Sequence, residues 1–258
     1  MSEWEEQEVL FTVKTYPSPS TSYNETVCTA GITRDGRFIR VYPIPFRYLN
    51  EMQQFKKYEW VRVKVRKSDT DHRLESYKVD YDSIKPTGEF VKEWSERLHY
   101  LKPFIRKSTN ALDNENMTLG LIKPVKIHDL ICSEDDGEWS ARQQACLSRL
   151  TIDNILNERK LLPLEKIPHK FQFRFDDHEE NHTIIVKDWE LYALYLRYKG
   201  RNPTDIVYDK FFNQICSDKN DVYFIMGTMH RFKSWLILGI LYPPKGTDAI
   251  KKYTIEDF

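Results

Sequence analysis

Apolar and polar residues alternate along Trp60–Arg66, where Val61, Val63 and Val65 are separated by Arg62, Lys64 and Arg66. A period of two puts the valines on one face of a strand and the cations on the other. Val9–Lys14 predicts a shorter strand, followed by a loop rich in proline and hydroxyls, Tyr16-Pro-Ser-Pro-Ser-Thr-Ser. Thr26–Thr33 and Phe38–Tyr42 flank Arg34-Asp35-Gly36-Arg37, and an Asp-Gly pair between two such runs predicts a hairpin with positive φ at both residues. With a two-residue loop, Ile32 opposes Ile39, Ala30 opposes Val41, and Cys28 comes next on the same core face. The other face then sets Thr29, Gly31 and Thr33 against Phe38, Arg40 and Tyr42.

From Gly88 the spacing turns helical, over Glu89–Leu101 and Trp139–Leu150, with a third helix expected at Asp153–Leu162. Lys170–Phe175 and Thr183–Lys187 predict a strand pair. Asp188–Lys199 predicts a helix capped by Asp188 and ended by Gly200, and Thr204–Cys216 predicts another. Val222–Thr228 and Ser234–Tyr242 are apolar strands joined by Met229-His-Arg-Phe-Lys. Strands, then helices, then strands again indicate an α+β fold, with an antiparallel or mixed sheet or partial barrel at both ends and a helical middle. The expected parts are a basic β-rich module at 1–88, a mainly helical segment at 89–165 and an α/β module at 166–258, or all three as one continuous domain.

Composition narrows the function classes. The 258 residues are 40% hydrophobic and 30% charged, which excludes a disordered chain. Lys plus Arg and Asp plus Glu both number 39, so any contact with a polyanion must come from a local patch. Cys28, Cys132, Cys146 and Cys216 are scattered without a C-x-x-C pair, which argues for reduced thiols in a cytoplasm rather than a zinc site or disulfide framework. No apolar run reaches the length of a membrane span. Phosphate-loop and dinucleotide glycine motifs are absent, and no cofactor is indicated.

One patch does stand out. Between Arg34 and Lys67 ten Lys or Arg face only Asp35, Glu51 and Glu59, a local net of +7. Arg62, Lys64 and Arg66 could line a phosphate backbone, unless acidic segments elsewhere neutralise them. Arg37, Phe38, Arg40 and Tyr42 form a row on which a flat ring could stack, unless a helix roofs it. Glu25 follows the hydroxyl-rich loop and His230 sits at the tip between the last two strands; these are the candidate catalytic residues. Asp71, His72 and Glu75, and separately His178, His182, Asp188 and Glu190, contain metal-ligating types, but neither set has a ligand motif, and no metal is assigned.

The stretches Lys14-Thr-Tyr-Pro-Ser-Pro-Ser, Glu25-Thr-Val-Cys-Thr-Ala-Gly-Ile, Ile39-Arg-Val-Tyr-Pro-Ile-Pro-Phe-Arg and Phe55-Lys-Lys-Tyr-Glu-Trp resemble an uncharacterised bacterial protein family. Asp188-Trp-Glu and Trp235-Leu-Ile-Leu-Gly-Ile-Leu-Tyr-Pro-Pro resemble its second half. The resemblance implies a bacterial, cytoplasmic setting near genome-defence genes, and transfers no catalytic residue. Three readings follow. The first is a nucleic-acid-binding protein using the Arg34–Lys67 surface. The second is an enzyme on a nucleotide or nucleic acid, with His230 as base and Arg40 holding phosphate. The third is a protein–protein interaction module.

Overall fold

The computed structural model describes residues 3–20, 24–156, 163–229 and 233–247. Strand β1 (Glu5–Lys14) is long enough to serve two partners. Its first half pairs antiparallel with β5 (Glu59–Lys67) and its second half with β3 (Asn24–Thr33); Val9 and Leu10 pair with both, and a bulge follows between Phe11 and Val13. β3 pairs with β4 (Phe38–Ile44), β4 runs parallel to β6 (Ser76–Phe90), and β6 returns antiparallel to β5. The circuit β1-β3-β4-β6-β5-β1 therefore closes a barrel, and β2 (Ser18–Ser20) adds a short ribbon on β3. Counting barrel strands in chain order, the sequence around it is 1-2-3-5-4-1 with the third and fifth parallel. That is the strand order of the OB barrel, a five-stranded Greek key.

Val9, Phe11, Ile39, Val41, Val61, Val63 and Val65 fill the interior. Gly31 sits where β1 crosses β3, and a Cβ there would overlap the Leu10 carbonyl oxygen, so closure needs glycine. The hairpin forms where the Asp-Gly signal places it, with Ile32, Ile39 and Val41 buried, but its register is one residue away from that expected. Ile32 pairs with Phe38 and Ala30 with Arg40. The loop has three residues: Thr33 N donates to the Arg37 carbonyl oxygen at 2.9 Å, and only Gly36 has positive φ, at 83°. A three-residue loop of this kind leaves Asp35 in ordinary backbone and shifts every pair by one.

After α1 (Trp94–Leu101) the chain builds a second unit. β7 (Ile105–Arg106), α2 (Thr109–Asn114), β8 (Leu119–Ile122) and β9 (Lys126–Glu134) precede α3 (Ala141–Leu156), so the middle stretch carries strands as well as the expected helices. The α+β class is as the residue pattern indicates. Asp153–Leu156 continue α3, and the rest of the third expected helix lies outside the described residues. β10 (His169–Asp176) sits between β9 and β11 (Asn181–Ile185), while β12 (Tyr223–Thr228) and β13 (Trp235–Leu241) extend β8 and β7 into a four-stranded sheet. α4 (Trp189–Arg197) is capped as its sequence indicates, Asp188 Oδ1 accepting from Glu190 N at 2.8 Å. α5 (Pro203–Tyr208) continues as a π-helix over Asp209–Ile215.

The two units share a core. Leu10, Val13, Ala30, Ile32 and Phe38 on the outside of the barrel pack against Leu119, Leu121, Tyr223, Ile225 and Leu238 of the four-stranded sheet. Both faces of the hairpin are thus buried, one in the barrel and one in the seam.

Candidate nucleotide-binding cleft at the barrel–sheet seam

Arg40 projects from the outer face of β4 into the seam, where it is 1% exposed. Its Nη2 donates to the Thr118 carbonyl oxygen at 2.9 Å and Nη1 approaches Thr118 Oγ1 at 3.4 Å. Thr118 is held in turn by Glu75, whose carboxylate accepts from its backbone N at 2.9 Å and its hydroxyl at 2.8 Å. Burial lowers the Arg40 pKa, yet a guanidinium stays charged at any ordinary pH. Gly227 makes room beside it: an ideal Cβ there would lie 3.1 Å from Arg40 Nη2 and overlap Leu238.

Above Arg40 opens a cavity of about 510 Å³. Its walls come from the hydroxyl-rich segment (Thr15, Tyr16, Ser18), from β4 (Arg40, Tyr42), from the 68–78 stretch joining and opening β6 (Ser68, Asp71, Arg73, Tyr77, Lys78), and from the second unit (Lys187, Thr228, Met229). Asp71 chelates Arg73, Oδ2 lying 2.5 Å from Nη2, and also accepts from Ser76 at 2.9 Å. Against the cost of burial, these bonds hold the Asp71 carboxyl well below the usual range, so it is a fixed anion and no proton carrier. Arg73 also donates to the Thr228 carbonyl oxygen, tying the loop to the second unit. Lys78 is shared with Asp69 at 3.1 Å. Lys187 is solvent-accessible yet ringed by protein, and desolvation lowers its pKa. Among the described residues no carboxylate pairs with it. The cleft is cationic, with Tyr42 at its rim 40% exposed and Tyr77 half-buried in its wall.

The sequence candidates separate sharply. Arg40 and Tyr42 are both in the cleft. Phe38 is not a stacking surface: it is 5% exposed and packs on Phe104, ring centres 5.1 Å apart, because the register places it opposite Ile32 in the seam. Arg37 lies outside, bonded to Asp35 at 2.8 Å and to the Tyr77 hydroxyl at 3.1 Å. The Arg62–Lys64–Arg66 ladder is answered by β1 and its own loop. Arg62 meets Glu8 at 3.0 Å and Glu6 at 3.6 Å, Lys64 is paired in register with Glu6, and Arg66 reaches Asp69 at 3.9 Å. Glu25 is 1% exposed, pairs with Arg47 at 3.2 Å, and is absent from the cleft lining. Burial raises its pKa against the pull of Arg47. His230 lies outside the described residues; Thr228 and Met229, which precede it, line the cleft. Among the described residues no set of three or more His, Cys, Asp or Glu is placed to hold a metal. His182 instead bonds Asp177 at 2.7 Å, and Asp188 bonds Lys57 at 2.8 Å.

Arg73, Tyr77 and Lys187 were not legible as site residues. Arg73 lay in a charged stretch whose carboxylates drew attention, and Lys187 ended an unremarkable strand.

Residues 5–103 match the family described as Domain of unknown function (DUF8758), and residues 105–256 match Domain of unknown function (DUF8757). The second match spans more than half of the chain. The chain belongs to the DUF8757 family. The two matches meet at Phe104, and the cleft takes its walls from both, Thr15 to Lys78 from the first and Lys187 to Leu238 from the second. A search of curated proteins finds no match. Among the described residues no helix is long and apolar enough to cross a membrane.

Proposed function

We propose that the protein binds nucleic acid, seating a nucleotide unit of a single strand in the cleft between barrel and sheet. The observation that carries the reading is topological. In an OB barrel, the second and third strands with the loops joining strands 1–2 and 4–5 form the face that takes oligonucleotides or oligosaccharides. Here those elements are β3, β4, the segment around Tyr16–Ser18 and the 68–75 loop, and they are the ones that line the cleft. The side chains add chemistry to this topology. Tyr42 and Tyr77 offer rings for a base, and Lys187, with no ion-pair partner among the described residues, offers charge for phosphate, which a neutral sugar chain would not need. A bacterial cytoplasm and a role in genome defence or nucleic-acid processing, which the sequence resemblance implies, belong to the same proposal.

Fluorescence anisotropy with labelled single- and double-stranded oligonucleotides tests it. Tyr42→Ala and Lys187→Ala weaken single-strand binding, whereas Arg62→Ala leaves it nearly unchanged. Absence of binding at low salt, or loss only in the Arg62 variant, refutes the placement.

A further inference from the structure

A second cavity, of about 380 Å³, opens on the other side of the chain segments that wall the first. The partition is the bridge pairing Thr15 with Asp188, reinforced by Tyr16 N donating to the Lys187 carbonyl oxygen at 2.9 Å. Tyr16 and Lys187 face the first cavity; Lys14 and Trp189 face the second.

Its lining combines cations and rings, Lys14, Lys56, Lys57 and Arg97 with Tyr58, Trp94 and Tyr242, and includes one carboxylate, Glu190. The cations are held differently. Lys57 is neutralised by Asp188 at 2.8 Å and Glu190 at 3.3 Å, which keep it protonated despite burial. The Arg97 guanidinium lies 4.0 Å from the Tyr58 ring centre and 4.8 Å from that of Trp94, its Nε donating to the Val91 carbonyl oxygen at 2.9 Å. Lys14 has no carboxylate at ion-pair distance among the described residues, although Glu190, Glu59 and Asp188 lie near enough to favour its charged form. Its ammonium lies 4.1 Å from the Phe46 ring centre and 5.5 Å from that of Trp189, donates to the Phe55 carbonyl oxygen at 3.0 Å, and forms no ion pair among the described residues. A partly buried ammonium under aromatic rings, with the Lys57 ammonium close enough to lower its pKa further, is stabilised when an anion joins it. Tyr58 adds backbone strain: it is a bulky residue at φ 61°, fixed by Tyr58 N donating to the Phe11 carbonyl oxygen at 2.7 Å. Such outliers persist where the surroundings over-determine them, and they gather at ligand sites.

We infer that this cavity is a separate binding site for a small flat-ringed phosphate of mononucleotide size. The phosphate meets Lys14 and Arg97, and the ring lies against Trp94 and Tyr242, whose own ring centres are 5.0 Å apart. The volume falls within the range of small-molecule sites. The inference does not depend on the nucleic-acid reading of the first cleft.

Titrating the full chain with adenosine 5′-monophosphate, adenosine and inorganic phosphate, followed by tryptophan fluorescence, tests it. The monophosphate is expected to change the emission saturably, and adenosine to bind about tenfold more weakly or worse, since a charged hydrogen bond contributes enough for that factor. Inorganic phosphate should compete. Lys14→Met, which keeps the apolar stem, and Arg97→Gln should each weaken the monophosphate about tenfold. Tyr42→Ala and Lys187→Ala should leave it unchanged. No response of the wild type, or wild-type affinity in both Lys14→Met and Arg97→Gln, overturns the inference. Loss of binding in Tyr42→Ala instead would assign the monophosphate to the first cleft and likewise overturn it. If Lys14→Met fails to fold by circular dichroism, Arg97→Gln alone decides.

Discussion

The ladder on β5 and the two seam cavities are all rich in cations, and they differ in what answers them. On the ladder, each arginine finds a carboxylate from the neighbouring strand or its own loop: Glu6 and Glu8 for Arg62, Asp69 for Arg66. In the seam, Lys187 and Lys14 face cavities with no ion-pair partner among the described residues. A local excess of charge in the sequence therefore marks two different things. Exposed pairs in high dielectric contribute little and leave no field for a ligand, whereas unanswered cations in a concave wall do.

The sharpest way to break the comparison is Arg40→Ala. It empties the buried space beside Gly227 and leaves the Thr118 carbonyl and Glu75 poorly satisfied, so unfolding free energy should drop by about 3–4 kcal/mol in urea titration, with cleft binding lost. A smaller drop would mean that the seam is not held by this residue.

Next comes pH. Burial, then the nearby Lys57, pull Lys14 from 10.5 to about 8, so above pH 8 the folded chain releases a proton that the unfolded chain keeps until 10.5. The Lys14 contribution to stability then rises with pH from 8 towards 10, because the unfolded state binds more protons there. Cys216, raised by burial from 9.0 to about 12, acts in the opposite sense from about pH 9, and Tyr16 and Tyr58, raised by burial to about 12, above pH 10; these are common to wild type and Lys14→Met. Between pH 8 and 10 the wild type should gain about 2–3 kcal/mol relative to Lys14→Met. Parallel curves for the two proteins would show that Lys14 titrates normally. Monophosphate binding has the reverse sign, present below pH 8 and fading above it.

Lys187→Ala should cost single-strand affinity about tenfold and flatten the slope of log affinity against log salt by roughly 0.7, with the melting temperature unmoved. The smallest effect is expected of Arg62→Ala with Lys64→Ala: under about 0.5 kcal/mol in stability and less than about threefold in affinity. A large loss there would restore the ladder as the contact surface.

Much of the local structure was legible. Asp35-Gly36 marked the hairpin, Asp188 and Gly200 bounded α4, and the alternating valines of Trp60–Arg66 face inward as their period demands. What stayed hidden has one cause. Two-residue and three-residue Asp-Gly loops read almost alike in sequence, yet they differ by one residue in register, and that step moved Phe38 opposite Ile32 and Arg40 opposite Ala30. β8 was too short, and β9 too mixed in character, to stand out beside the helical spacing around them.

By itself, the sequence determined where chain direction changes, which residues are apolar, and how each strand sorts its two faces, because these depend on neighbours along the chain. Only the tertiary structure decided that β1 closes a barrel by pairing with both β3 and β5, that Glu6 and Glu8 neutralise the basic ladder, and that Lys14 and Lys187 lie on opposite sides of one partition. Those are long-range pairings. Whether a cation is answered depends on which distant carboxylate reaches it through space, and no local pattern encodes that distance.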